Sequence, residues 1–161
     1  MATNPFRGYL IKSPRIYQMM IATTTQTEAE RLSHFPLQYI QWDSPENTPN
    51  QREELKAYRD DNTRNLTRVT ASGKKSTMLF KLRRLNLKEK MEVQAWLGNA
   101  QEDTQEAHEQ RKVYLEYWDD EENTYKTGYF YRPNATFKIL HIDEKNKDII
   151  YKEQELKFVE Y

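Results

Sequence analysis

The sequence predicts a mainly β fold, a β-sandwich or half-barrel with one α-helix packed on the sheet and a long polar loop. Three observations carry that prediction. Eleven Tyr, six Phe and three Trp stand against only four Gly, and flat rings pack best on a pleated surface. Residues 112–161 alternate apolar and polar side chains between acidic or lysine-rich turns, the period-two signature of half-buried strands. Residues 87–97 join a helix-capping pair to helical spacing of apolar residues. With 161 residues the chain has room for a single domain, 1–161, that buries about two thirds of its unfolded surface.

The elements follow in order. Residues 9–12 read as a short strand closed by Pro14, which has no N–H for a ladder. Residues 15–34 read as an excursion from the sheet. Ile16, Met19 and Met20 have helical spacing, the Thr23-Thr24-Thr25 run resists helix, and Thr27-x-x-Glu30 has the form of a capping box. Phe35, Leu37 and Tyr39 alternate with more polar neighbours up to Trp42, which predicts a strand. From 43 to 76 the apolar pattern fades among Pro, Asn, Asp, Arg and Lys, which predicts a loop far longer than usual. A strand over 77–82 (TMLFKL) comes next. Asn86-x-x-Glu89 then opens a helix over 87–97, with Leu87, Met91, Val93, Trp96 and Leu97 on its apolar face and Gly98-Asn99 as its stop. Residues 101–110 read as a partly helical acidic connector. Two C-terminal hairpins end the chain: 113–118 with 124–131 around the Asp119-to-Asn123 turn, and 136–142 with 149–159 around 143–148.

Chemistry is sparse. There is no Cys, which removes disulfides, thiolate metal sites and Cys nucleophiles. His34, His108 and His141 stand in no metal-ligand spacing. The carboxylates Asp119, Asp120, Glu121 and Glu122 lack the glycine that lets a calcium loop turn. Gly73-Lys74-Lys75-Ser76 resembles the end of a phosphate loop, but Arg68 occupies the place of the upstream glycine and a strand follows where a helix is needed. No enzyme activity, metal or cofactor is expected. No apolar run approaches the roughly 20 residues of a membrane span, and the chain is expected to be soluble and made in the cytoplasm.

The remaining signal is electrostatic. Lys plus Arg equals Asp plus Glu, 25 each, so there is no global basic excess of the nucleic-acid-binding kind. The charge is nevertheless polarised. Residues 52–75 hold seven cations against four carboxylates, a net +3, while 101–123 hold nine carboxylates against two cations, a net −7. Complementary patches of this kind suit a subunit that meets an identical neighbour head to tail. A segment so poor in apolar residues is expected to order only when neighbours supply partners.

Several segments together resemble a known pattern: YIQWD at 39–43, YRDDNTRNLTRVTASGKK at 58–75, TMLFKL, LKEKMEVQAWL at 87–97, and VYLEYWDDEENTYKTGYFY at 113–131. From Phe35 to Tyr161 the chain resembles the small structural proteins encoded among the tail genes of long-tailed phages and prophages. The resemblance rests on the aromatic stretch before the loop, the Arg64-Asn65 pair within it, and the Tyr117-to-Tyr131 hairpin with its acidic turn. It implies a tail-tube-like fold and a non-enzymatic virion protein at the tail tip or tube end, assembled as a hexameric or trimeric ring. Neighbouring tube, tip and tape-measure proteins would be its partners, and DNA only a passing cargo. It further implies that 43–76 is an intersubunit loop, with Arg52, Arg59, Arg64, Asn65 and Arg68 contacting carboxylates such as Asp119, Asp120, Glu121 and Glu122 next door. Residues 15–34 depart from that pattern. The alternative is a nucleic-acid-binding or head-tail joining accessory protein that uses the basic loop, with affinity falling steeply in salt.

Overall fold

A computed structural model describes residues 3–51, 54–59, 62, 64–70, 75–101, 104–105, 111–133 and 135–161. The chain is mainly β: a curled half-barrel sheet, a smaller sheet and a two-stranded ribbon, with three helices. The strands are β1 (Ile11–Lys12), β2 (Glu46–Gln51), β3 (Glu54–Arg59), β4 (Leu66–Thr70), β5 (Lys75–Leu82), β6 (Leu85–Asn86), β7 (Lys112–Asp119), β8 (Thr124–Tyr131), β9 (Ile139–Asp143), β10 (Asp148–Tyr151) and β11 (Gln154–Glu160). The helices are α1 (Pro14–Ile21), α2 (Gln26–Ser33) and α3 (Leu87–Ala100). The six-stranded sheet runs β1-β7-β8-β11-β5-β2, the smaller one β6-β10-β9, and β3 pairs with β4 alone.

Alternation decides which face of the large sheet is inside. Val113, Leu115, Tyr117 and Asp119 of β7, Ser76, Met78, Phe80 and Leu82 of β5, and Leu156 and Phe158 of β11 all point inward and are buried. Val93, Trp96, Leu97 and Ala100 of α3 cover them, and Phe35 wedges between, edge-on to Trp96 at 5.1 Å and 5.9 Å from Phe80 between ring centroids. Each large apolar side chain among these, fully buried, contributes about 1.5–3 kcal/mol. The curl brings the β2 edge round to β7, where the Asn47 amide donates to the Trp118 carbonyl at 2.6 Å.

Several expectations from the sequence hold. The capping box at Asn86 and Glu89 is formed, with reciprocal bonds between side chain and backbone. The β7–β8 hairpin pairs in register from Lys112↔Tyr131 to Asp119↔Thr124. The expected strand 77–82 is present as β5, which begins two residues earlier than expected, at Lys75.

Others are corrected. The stretch 35–42 is not a strand but a 3-10 turn over Leu37–Tyr39, bridged to β5 between Ile40 and Leu82. Phe35, ahead of the turn, and Tyr39, at its end, are both buried, while Leu37 and Trp42 stay exposed. The long polar segment 43–76 is not a loop: its described parts are β2, paired with β5, and the β3–β4 ribbon. A ladder is held by main-chain bonds, which a polar sequence supplies as well as an apolar one. The excursion 15–34 folds as two helices, capped by the Ser13 and Thr25 side chains, and the Thr27-x-x-Glu30 box is not used. Helix α3 runs through Gly98 to the buried Ala100, and Met91 lies outside its buried face, 58% exposed. The predicted strand 149–159 is two strands in different sheets, because the chain leaves β10 at Lys152 and Glu153 and enters the large sheet as β11. The connector 101–110 is described only at Gln101, Thr104 and Gln105.

Candidate functional site

At the end of the half-barrel where β2 meets the β7–β8 turn, inward alternation stops delivering apolar side chains and delivers polar ones. Asp119 is the inward residue after Val113, Leu115 and Tyr117, and it is fully buried. Its Oδ1 accepts from the backbone N–H of Glu121 at 2.8 Å and of Glu122 at 3.2 Å, which folds the turn. Its Oδ2 receives the Lys126 ammonium at 2.9 Å and the Asn50 amide at 2.9 Å. Lys126 also bonds the Glu122 carboxylate at 2.8 Å and the Asn50 Oδ1 at 3.3 Å.

The network continues across the barrel. The Asn50 N–H donates to the Ser76 hydroxyl at 3.2 Å, and that hydroxyl lies 3.5 Å from the Tyr117 hydroxyl. The Ser76 N–H donates to Glu160 at 2.9 Å. A Cβ at Gly128 would lie 2.5 Å from the Glu160 carboxylate, whose flexible side chain would have to shift.

The electrostatics are those of a latch. Burial pushes the Asp119 carboxyl up, but Lys126, Asn50 and the two turn N–H groups together outweigh it and hold the group below the usual carboxylate range. Glu122 and Asp119 raise the Lys126 ammonium in turn. Burial raises the Tyr117 phenol. Asp119 is charged and saturated, Tyr117 is protonated, and no nucleophile sits against a free base in this network. What the arrangement does is fasten the β2 edge to the hairpin and close the curl.

The residues expected at an intersubunit contact therefore divide. Asp119 is corrected: its carboxylate is buried and used up within its own chain, because the inward parity of β7 places it there. Asp120, Glu121 and Glu122 lie on the exposed turn, although Asp120 accepts from the Trp118 indole at 2.7 Å and Glu122 holds Lys126. Arg64 and Asn65 are exposed between β3 and β4, with Arg64 left-handed at φ 62°. Arg59 pairs with Leu66, and Arg68 with Ala57, in the ribbon register. Arg52 lies outside the described residues, as do Gly73 and Lys74. Asn50, Ser76, Lys126 and Glu160 were missed. Lys126 was within reach of pattern reading, since it shares the inward parity of Phe130 in β8; Asn50 was not, since nothing in the pattern announced β2.

A different surface lies on the smaller sheet. β9 forms its edge and pairs only with β10 among the described residues. Phe137, Ile139, Leu140 and Ile142 are 42–60% exposed, so both faces of this edge are apolar and wet. Among the described residues no group of three or more His, Asp or Glu could hold a metal ion, and no helix is long and apolar enough to cross a membrane.

No curated protein and no solved structure matches the chain. A family model described as a family of unknown function (DUF6711) matches residues 31–161, beginning within α2 and covering every strand after β1. The chain belongs to that family, DUF6711.

Proposed function

We propose that the chain is a non-enzymatic virion structural protein, a phage-tail subunit of the tail tip or tube end that assembles head to tail with its own copies into a ring. The observation that carries this reading is the β9 edge. A strand with unpaired main-chain groups and three exposed apolar side chains, with the exposed Phe137 just ahead of it, is a template for another chain, and soluble monomers normally blunt such an edge with charge, proline or a covering element. Here it is left open. The β3–β4 ribbon supports the same reading, because it forms a sheet of its own and carries Arg64 and Asn65 exposed at its turn. In the assembled ring β9 is covered by a second copy, and the ribbon reaches toward the acidic Asp120-to-Glu122 turn of a neighbour.

Sedimentation and electron microscopy of the full chain test this. The expected result is a closed ring with a lumen wide enough for duplex DNA, about 20 Å, that loosens in high salt. Residues 52–74 can be replaced by an Asn-Gly turn, because Gln51 and Lys75 are register partners; this keeps Asn50 in its network and is expected to leave a folded chain that no longer closes rings. A chain that stays monomeric at all concentrations overturns the reading. Salt-sensitive DNA binding by that monomer would favour the nucleic-acid alternative instead.

A further inference from the structure

The large sheet has a gap. β11 pairs with β5 along Gln154–Val159, but with β8 only at Val159↔Tyr131 and Glu160↔Phe130. Toward the start of β11 the two strands part, and a cavity of about 780 Å³ lies between β11, α3 and the residues that follow β8, Arg132, Pro133 and 135–138. Its inner wall is apolar, from Val93 and Leu97 of α3 and Leu156 of β11. Its described lining otherwise holds six cations against two carboxylates, and one of those, Glu153, is already held by Arg84 at 3.3 Å.

Two of the cations stand together at one end. Arg132 follows β8 directly and donates its N–H to the Arg111 carbonyl at 3.4 Å. Among the described residues the Arg111 guanidinium bonds only the Pro133 carbonyl, at 3.5 Å. The Arg132 Nε is shielded from solvent and has no acceptor among the described residues. Among the described residues no carboxylate forms an ion pair with either guanidinium. Burial, and after it the Arg111 charge, pull Arg132 below the usual guanidinium range. A guanidinium offers five donors in a planar fork that suits carboxylate and phosphate, and an isolated buried one is costly.

We infer that this cavity binds an organic anion, a carboxylate or phosphate head group on an apolar body, with Arg132 and Arg111 receiving the head group and Val93, Leu97 and Leu156 the body. The volume is that of a small-molecule site rather than of an inorganic ion. An anion supplies the acceptor that the Arg132 Nε lacks and neutralises the pair of like charges. Lys90 stands at the same cavity, over the rings of Phe137 at 4.4 Å and Tyr151 at 4.3 Å, and adds to the positive potential. The inference does not depend on the ring reading.

The test uses 8-anilinonaphthalene-1-sulfonate as a fluorescent probe on the native full chain, displaced by decanoate, decyl phosphate, decanol or inorganic phosphate. Decanoate or decyl phosphate is expected to displace the probe, and whichever does so at the lower concentration identifies the head group. Arg132→Gln is expected to weaken binding of the anions about tenfold or more and to leave decanol unchanged. Should Arg132→Gln fail to fold, Lys138→Glu puts a carboxylate at the exposed rim of the cavity and is expected to weaken the anions in the same way. Unchanged anion affinity in the folded Arg132→Gln or in Lys138→Glu, or displacement by decanol as effective as by decanoate, would overturn the inference. So would displacement by inorganic phosphate as effective as by decyl phosphate.

Discussion

The two C-terminal hairpins are built from similar sequences and end in opposite environments. In β7–β8 the alternating residues Val113, Leu115 and Tyr117 are at most 2% exposed, and the one inward carboxylate, Asp119, is fully bonded. In β9–β10 the apolar residues of β9 lie open to solvent on an unpaired edge. The difference teaches that period-two patterning fixes which residues share a face, and leaves open whether that face is covered from within the chain. α3 and the rest of the large sheet cover the first hairpin; no described element covers β9.

If the first hairpin is the part of the fold completed internally, its core residues should carry the largest stability effects. Leu115 is wholly shielded, and Leu115→Ala leaves a cavity that cannot fill from solvent, so a loss of about 3 kcal/mol is expected. Urea unfolding followed by far-UV circular dichroism measures it. A loss below about 1 kcal/mol would mean that this hairpin is no better packed than β9, and the comparison would collapse.

The polar end of the same hairpin gives a somewhat smaller effect with a pH signature. Asp119→Ala leaves Lys126 only Glu122 and the Asn50 Oδ1, and frees two turn N–H groups, at an expected cost of about 2–3 kcal/mol. Because the folded-state pKa of Asp119 is depressed, its stabilisation is complete above the unfolded carboxylate value of about 3.9 and fades as pH falls through the lower folded value. The stability gap between the native chain and Asp119→Asn should therefore be constant near neutrality and shrink below about pH 4. A gap that widens in acid would show that Asp119 is neutral in the fold.

How much of this was legible follows from the same physics. The β7–β8 hairpin was readable throughout, because alternation, aromatic content and an acidic turn agreed. The capped start of α3 was readable because a capping box is local. The 3-10 turn at 37–39 was misread because Phe35, Leu37 and Tyr39 satisfy strand parity, although only Phe35 and Tyr39 are buried and Leu37 is exposed. β2, β3 and β4 were invisible because main-chain ladders leave no mark on a polar sequence. At the polar end, Asp119 was assigned to the acidic turn and to a contact with a neighbouring subunit, although its parity with Val113, Leu115 and Tyr117 already placed it inside. Its partner Asn50 depended on β2 and could not be read. The open flank of β9 is a tertiary property: FKILHID declares a strand but not what lies beside it.

The smallest stability effect belongs to β9, and it is paired there with the largest expected change in association. Ile142 is 60% exposed, so Ile142→Lys removes little buried area and should change unfolding free energy by no more than about 0.5 kcal/mol. A lysine on an unpaired edge nevertheless charges the strand that a second copy would cover, and desolvating it there costs far more than folding the monomer around it. Sedimentation velocity at matched concentrations should show the native chain as an oligomer and Ile142→Lys as a folded monomer, because the side chain is needed only where another molecule would sit. Were the variant to lose stability like Leu115→Ala while still associating, β9 would belong to the interior of its own chain, and the contrast between the two hairpins would have to be drawn the other way round.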